Sequence, residues 1–342
     1  MEGPRLRTGL MGLAGMGRLV LQALAEDDRF QIVGIADHDP RLVRRLASQF
    51  GCSGHDDFRQ FVINNSMDCL VVCDGLHRCI EHIRMAIERG VNILRLAPMA
   101  RSLMEAKELA KAADKASVRY DVLIVPGPSK WVEDLFSAAG DQGQTGPYLL
   151  RGILEVRAAE GQAADWMRDK ALSGGGVVLH EGYGLVAGLI GRLGMPSRVY
   201  CQACWDRPGK ASLLLAEDAA MLYCRFPSGC VLDLAMIRYW DWDSHRSDLR
   251  LRMYLSDRQI GLDGQAIVTI DRAGHQDRRP LLPFDPLAQI RTDLSGYAAS
   301  LLHPDGQPYP GTAVTHLQVM AVIQAAYIST QTGCPEDPKS LL

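Results

Sequence analysis

Two groups of residues in this chain have types and spacings that could do chemistry. The first is Thr8 to Leu24, TGLMGLAGMGRLVLQAL. A short apolar run leads into a glycine-rich turn, and an apolar-periodic segment with Leu19, Val20, Ala23 and Leu24 follows. That order predicts strand, tight turn, helix. Such a turn aims backbone N–H groups and a helix N-terminus at whatever lies above it, which suits a phosphate. Set against the dinucleotide fingerprint G-x-G-x-x-G, the key positions are Gly12, Ala14 and Gly17, with Gly15 and Met16 between the last two. Ala14 stands where the second glycine lets backbone approach a pyrophosphate. Alanine can adopt the same backbone shape if its φ is negative. Asp37 ends the apolar run Phe30 to Ala36, twenty residues past Gly17, where the fingerprint places an acid on the ribose 2′-hydroxyl. An acid there repels a 2′-phosphate, so NAD is favoured over NADP. The alternative is a solvated loop acid.

The second group is titratable and scattered. Asp74 and His77 follow the buried run Asp68 to Cys73, DCLVVC. They either reach the nicotinamide edge of such a cofactor, or Asp74 caps the next helix and His77 is solvated. His180 falls on a predicted helix, Gly175 to Arg192. An unperturbed imidazole pKa of about 6.5 suits acid/base work near neutrality; the alternative is a buried, hydrogen-bonded histidine. Glu181 and Tyr183 adjoin it, although sequence neighbours on a helix point apart. Lys130 with Trp131, and Trp166, Arg168 and Lys170, could hold an anionic substrate or lie on the surface. The glycines at 174 to 176 read as a hinge or as room for backbone to approach a ligand. Tyr239 to His245, YWDWDSH, reads as a sugar- or partner-binding loop or as an aromatic edge at an oligomer interface. No H-E-x-x-H spacing occurs, so no metal is expected.

The elements that must position these groups divide at residue 125. Before it, apolar runs alternate with helical patterns: His77 to Gly90, Val91 to Leu96, Leu103 to Ser117, Asp121 to Val125. This predicts βαβ units in a doubly wound parallel sheet, an α/β dinucleotide-binding (Rossmann) domain over 1–125. Ligands in such sheets sit beyond the carboxyl ends of the strands. From 126 to 342 the runs Tyr148 to Val156, Arg198 to Trp205, Ala219 to Phe226, Cys230 to Tyr239, Leu249 to Leu255 and Ala266 to Asp271 are often joined by short turns. They predict an α+β domain with a mostly antiparallel open sheet, interrupted by Gly175 to Arg192 and closed by Thr312 to Thr332.

At this level the chain resembles the Gfo/Idh/MocA oxidoreductases, the glucose–fructose oxidoreductase and inositol dehydrogenase type. The resemblance covers nearly the whole length. It is carried by the glycine turn with Asp37, by EHIRMAIERGVNIL before a proline loop, by WMRDKALSGGGVVLHEG, and by AVIQAAYISTQTG. It implies a nucleotide-binding domain followed by a sheet domain that often serves as an oligomer interface, so a homo-oligomer is expected. It also exposes departures. Where the family reads Glu-Lys-Pro, this chain has Leu96, Ala97 and Pro98. Where the family reads Asp-x-Gly-x-His, it has His180, Glu181, Gly182, Tyr183 and Gly184. The usual Thr-Pro is Asp74-Gly75. The implied function is a divergent NAD(P)-dependent oxidoreductase acting on a small sugar-like, imine or carbonyl substrate. A nucleotide-binding pseudo-dehydrogenase and a redox-neutral enzyme in the same cleft remain alternatives.

Composition narrows the classes further. The 342 residues are 47% hydrophobic and 23% charged with a net charge of −3. That is an ordinary globular balance with no electrostatic case for nucleic acid. No apolar run approaches membrane-spanning length. The opening MEGPRLRTGL lacks a signal-peptide core, and the nine cysteines show no framework spacing. Cys201 and Cys204 would point to opposite faces of a strand. A reduced, cytoplasmic setting is the expectation.

Overall fold

The structure is a computed structural model describing residues 4–124, 127–140, 146–159, 162–205, 215–241, 246–263, 266–281 and 283–342. It forms two compact units. One comprises Met1–Ala100, Met104–Val125 and Asp285–His316; the other comprises Arg101–Leu103, Pro126–Phe284 and Leu317–Leu342. The division expected at residue 125 leaves 285–316 in the second domain, whereas the structure groups that stretch with the first.

The first unit opens with β1 (Leu6–Met11), α1 (Met16–Ala25), β2 (Phe30–Ala36), α2 (Pro40–Phe50), β3 (Ser53–His55), α3 (Phe58–Asn64), β4 (Cys69–Val72), α4 (Leu76–Glu88), β5 (Asn92–Leu96), α5 (Leu103–Lys115) and β6 (Tyr120–Leu123). Its six strands run in the order β3-β2-β1-β4-β5-β6, and every pair is parallel. The order reverses between β1 and β4. In open α/β sheets, ligands bind in the crevice at such a switch point. β1 and β4 are apolar because both their faces are covered: Leu10, Met11 and Cys69 to Val72 are all fully buried. The stretch 285–316 supplies one of the covers.

The second unit contains α6 (Pro128–Ala139), β7 (Leu149–Ala159), α7 (Gln162–Arg168), α8 (Lys170–Ser173), α9 (Gly182–Leu193), β8 (Arg198–Cys204), β9 (Ala219–Arg225), β10 (Val231–Asp241), β11 (Arg246–Tyr254), β12 (Arg258–Asp263), β13 (Ala266–Asp271) and β14 (Gln276–Pro280). Then come α10 (Pro286–Leu302), in the first unit, and α11 (Ala313–Thr332). The eight strands run β14-β13-β12-β11-β7-β10-β9-β8. All pairs are antiparallel except β7 with β10. Alternation assigns the faces: Leu222, Cys224, Leu232, Leu234 and Met236 are buried, while Met221, Tyr223, Val231 and Tyr239 are exposed on the other side.

α10 joins the core of the first unit. Ile290, Leu294, Tyr297 and Ala298 pack with Leu13, Val20, Leu24, Leu94 and Leu123. Asp285 caps it, accepting from the backbone N–H groups of Leu287 and Ala288. All nine cysteines are free. Cys201 is buried and Cys204 exposed. Burial pushes the thiols of Cys69, Cys79 and Cys201 up to about 12, which leaves them inert as nucleophiles. Among the described residues no group of three or more His, Cys, Asp or Glu could hold a metal, and no helix is long and apolar enough to cross a membrane.

Candidate functional site

In the first unit the site is the turn from β1 into α1. Gly12 has φ +87°, and a Cβ there would lie 2.5 Å from the Asp74 backbone nitrogen. At Gly17 a Cβ would lie 2.0 Å from the Gly12 carbonyl oxygen. These two glycines close the turn against the protein itself. Gly15 differs: it has φ +54° and ψ −119°, and a Cβ on it would meet nothing within 4 Å. It faces open space. Ser117 is the one non-glycine with positive φ among the described residues, so Ala14 keeps the negative φ that lets alanine replace glycine. Ala14 is exposed. No side chain caps α1, so its N-terminus faces outward ready for an anion.

Asp37 is half-buried beside the turn. It accepts hydrogen bonds from Leu13 N at 2.7 Å and Asp39 N at 2.9 Å. One oxygen is thereby pinned to the turn and the other to the start of α2. An ionised carboxylate has about four acceptor sites, so two remain for a vicinal diol. Asp74 lies on the far flank of Gly12. Its Oδ1 accepts from Gly75 N at 2.7 Å, and no side chain caps α4 at Gly75, so the helix-cap alternative for Asp74 does not hold. His77 is half-buried in the first turn of α4. Ala97 and Pro98 follow β5 with a cis peptide between them, and Ala97 N donates to Leu123 O. Sequence reasoning missed Arg95. It is 3% exposed, donates from Nη1 to Val72 O at 3.0 Å, and leaves its Nε without a partner among the described residues. Its signal was a lone arginine inside VNILRL.

Residues 6–124 match the sequence profile of the Gfo/Idh/MocA oxidoreductase family, an NAD-binding Rossmann fold. That match places an NAD-binding Rossmann domain of this kind in the first unit. The whole chain shares its fold with solved oxidoreductase structures. An oxidoreductase from Agrobacterium radiobacter, solved with NAD+, L-tartaric acid and magnesium, is 15% identical with a TM-score of 0.80, over 99% of this chain and 100% of that one. A levoglucosan dehydrogenase solved with NADH and levoglucosan is 16% identical, TM-score 0.79, covering 97% and 99%. The WlbA dehydrogenase from Bordetella pertussis, solved with NADH and UDP-GlcNAcA, is 19% identical, TM-score 0.74, covering 97% and 98%. No curated protein matches the sequence. NAD fits the cradle described: the open Gly15, the uncapped α1 and the Asp37 acceptors suit a pyrophosphate and a ribose diol. Replacing Asp37 by Ala should narrow the preference for NADH over NADPH, read by fluorescence titration. An unchanged preference would place the carboxylate elsewhere than the ribose.

In the second unit the predicted helix over Gly175 to Arg192 is shorter than expected. α9 starts at Gly182, and residues 177–181 form a tight turn. Glu217 holds this turn: its two carboxylate oxygens accept from Gly176 N at 2.8 Å and Val178 N at 3.0 Å. Tyr327 Oη donates to the same carboxylate at 2.9 Å. The glycines are a packing knot and not a hinge. A Cβ at Gly174 would lie 2.3 Å from Arg101 O, one at Gly175 2.0 Å from Tyr327 Oη, and one at Gly176 1.9 Å from Glu217 O. The backbone does approach something closely, but that something is the protein.

His180 therefore sits on this clamped turn. Its Nε2 is 3.1 Å from Ser173 O, an acceptor only, so in the neutral ring Nε2 carries the proton and Nδ1 is the basic nitrogen. Trp166 meets the ring edge-on at 5.7 Å between centroids. Next in sequence, Glu181 makes a two-point pair with Arg238 of β10: Nε to Oε1 at 2.8 Å, Nη2 to Oε2 at 2.5 Å, with side chains 10% and 1% exposed. The Arg238 guanidinium lies 5.2 Å from the Trp240 ring, Arg168 lies 4.4 Å from it, and Trp240 Nε1 donates to Asp218 at 3.1 Å. Lys170 lies 5.6 Å from the Tyr327 ring. His180, Trp166, Arg168 and Lys170 thus belong to one unit and one neighbourhood. Lys130 does not join them: it pairs with Asp134 one turn along α6. Tyr183 is 1% exposed and packs in the core. Trp242 to His245 of the aromatic stretch lie outside the described residues.

Proposed function

We propose that this chain is an NAD-dependent oxidoreductase acting on a small polar substrate that is sugar-like, an imine or a carbonyl. The observation that carries the reading is the pairing of an open, uncapped glycine turn with an acid whose remaining acceptors suit a ribose diol. When bound, the nicotinamide supplies hydride chemistry. The chain's own part is binding, orientation and proton movement. Gly15 and the N-terminus of α1 receive the pyrophosphate, and Asp37 receives the ribose. His180, with Nδ1 basic, is our assignment for the group that moves the substrate proton. Ala97 and Gly184 bear no titratable side chain where the family keeps a lysine and a histidine, so this single base suits substrates that need little activation. We also take the exposed face of the eight-stranded sheet as a surface for self-association, as the family resemblance implies.

Two measurements test the reading. Titration of the purified protein with NADH should saturate; no binding at millimolar concentration sinks it. Turnover is then sought over sugars, cyclitols, imines and keto acids. His180→Ala should lower kcat by ~10²-fold or more, the scale of a lost general acid/base, with NADH affinity nearly unchanged. Retained turnover would move the assignment to His77, in the first turn of α4. The second reading, a pseudo-dehydrogenase, is favoured by the bare side chains at Ala97 and Gly184; nucleotide binding without turnover over the panel would establish it.

A further inference from the structure

We propose that Asp74 reads the base of the dinucleotide, accepting a hydrogen bond from the exocyclic N6 amine of adenine. The inference rests on the NAD-binding reading of the first unit and goes beyond it. β1 is flanked by β2 on one side and β4 on the other, with Met11 in register with both Ala36 and Val72. The turn that follows is flanked in the same way. Asp37 holds Leu13 N from the β2 side, and the Asp74 backbone closes on Gly12 from the β4 side. The ribose acid therefore has a second carboxylate across the turn.

His38 shows which way that carboxylate faces. It is the residue after Asp37, and its Nε2 lies 4.0 Å from Asp74 Oδ2. Arg78 Nη1, from the first turn of α4, lies 3.9 Å from Asp74 Oδ1. Both separations are ion-pair distances longer than a hydrogen bond. The Asp74 side chain is 19% exposed, and those of His38 and Arg78 are each 47% exposed. The imidazole and the guanidinium can turn outward while the carboxylate stays fixed by its bond from Gly75 N.

A base joined to a ribose at Asp37 comes to rest among these three side chains. An ionised carboxylate only accepts. On adenine the matching donor is the N6 amine, beside acceptors that a carboxylate would repel. The imidazole and guanidinium planes offer the stacking faces that bases use without regard to sequence. Asp74 is then the group that selects the N6 amine.

The test compares NADH with reduced nicotinamide hypoxanthine dinucleotide, which has a carbonyl oxygen in place of the N6 amine, by fluorescence titration. The wild-type protein should bind NADH about tenfold more tightly or better, the scale of one hydrogen bond to a charged group. In Asp74→Asn the ratio should fall to within about twofold, because a carboxamide can both donate and accept. Equal binding of the two dinucleotides by the wild type overturns the proposal and leaves the NAD reading standing. So does an Asp74→Asn protein that weakens both equally, since that marks a purely structural role for Asp74. Binding of neither dinucleotide by the wild type overturns both readings together.

Discussion

Arg238→Met should lower the unfolding free energy of the second unit by about 3–5 kcal/mol, the usual cost of leaving one partner of a buried ion pair uncompensated. Arg238 is 3% exposed. Burial works against its charge, and the Glu181 carboxylate, helped by Glu217 and Asp218, more than offsets this and raises its pKa. Without the guanidinium, Glu181 keeps a carboxylate at the start of α9 with no partner on β10. Thermal unfolding should shift down by roughly 10 °C, taking about 2–4 °C per kcal/mol for a unit of this size. The double variant Arg238→Met with Glu181→Gln should recover much of the loss, because no buried charge remains. If the double variant is as unstable as the single, packing of the Arg238 stem, and not charge, carries the effect. The pair also anchors the turn that bears His180, so kcat in the double variant should fall even where stability returns.

The second large effect depends on pH. His316 is 1% exposed, and burial pushes its pKa down to about 3. In the unfolded chain it titrates near ~6.5. The unfolded state thus takes up a proton that the folded state refuses. The His316 contribution is complete above about pH 6.5 and falls by about 1.4 kcal/mol per pH unit below it. From pH 6.5 to 5 the loss is roughly 2 kcal/mol. Asp121 opposes this. Burial raises its carboxyl to about 6 despite the Arg119 guanidinium, so the folded state holds a proton that the unfolded state has released. Its contribution therefore rises as pH falls from about 6 towards 4. The clean measurement is a difference of differences: urea unfolding at pH 7 and pH 5 for the wild type and His316→Asn. The variant should lose less stability on acidification by about 2 kcal/mol. Identical losses would show that His316 does not titrate in this range.

Much of the first unit was legible because its signals are local. Four-residue apolar strands such as Cys69–Val72 and capped, amphipathic helices repeat at βαβ spacing, and the glycine turn with Asp37 marks the switch point. Where the sequence misled, the cause was long-range. The start of α9 looked like the triple glycine, but that stretch is a turn whose Gly176 and Val178 N–H groups are held by Glu217, about forty residues on. The parallel pairing of β7 with β10 joins Leu149 to Val231, a partnership that no local pattern encodes. β14, Gln276–Pro280, is fully exposed, so no apolar alternation announced it. α10 carries Thr292, Ser295 and Gly296 along its length, weak helix formers; its existence is owed to the apolar wall it covers. Arg95 and the Arg238–Glu181 pair were invisible for a related reason: burial of a charge is a property of its neighbours.

The placement of α10 has a consequence for synthesis. Ile290, Leu294 and Tyr297 form part of the wall of the nucleotide-binding unit, yet they leave the ribosome long after β6. At about 5–20 residues per second, the interval from residue 125 to residue 316 is roughly 10–40 s. During it, the β-sheet that binds nucleotide has an uncovered apolar flank, with Leu13, Leu94 and Leu123 waiting for partners. The two units therefore cannot mature in chain order. The one that begins first closes only after almost all of the other has been made.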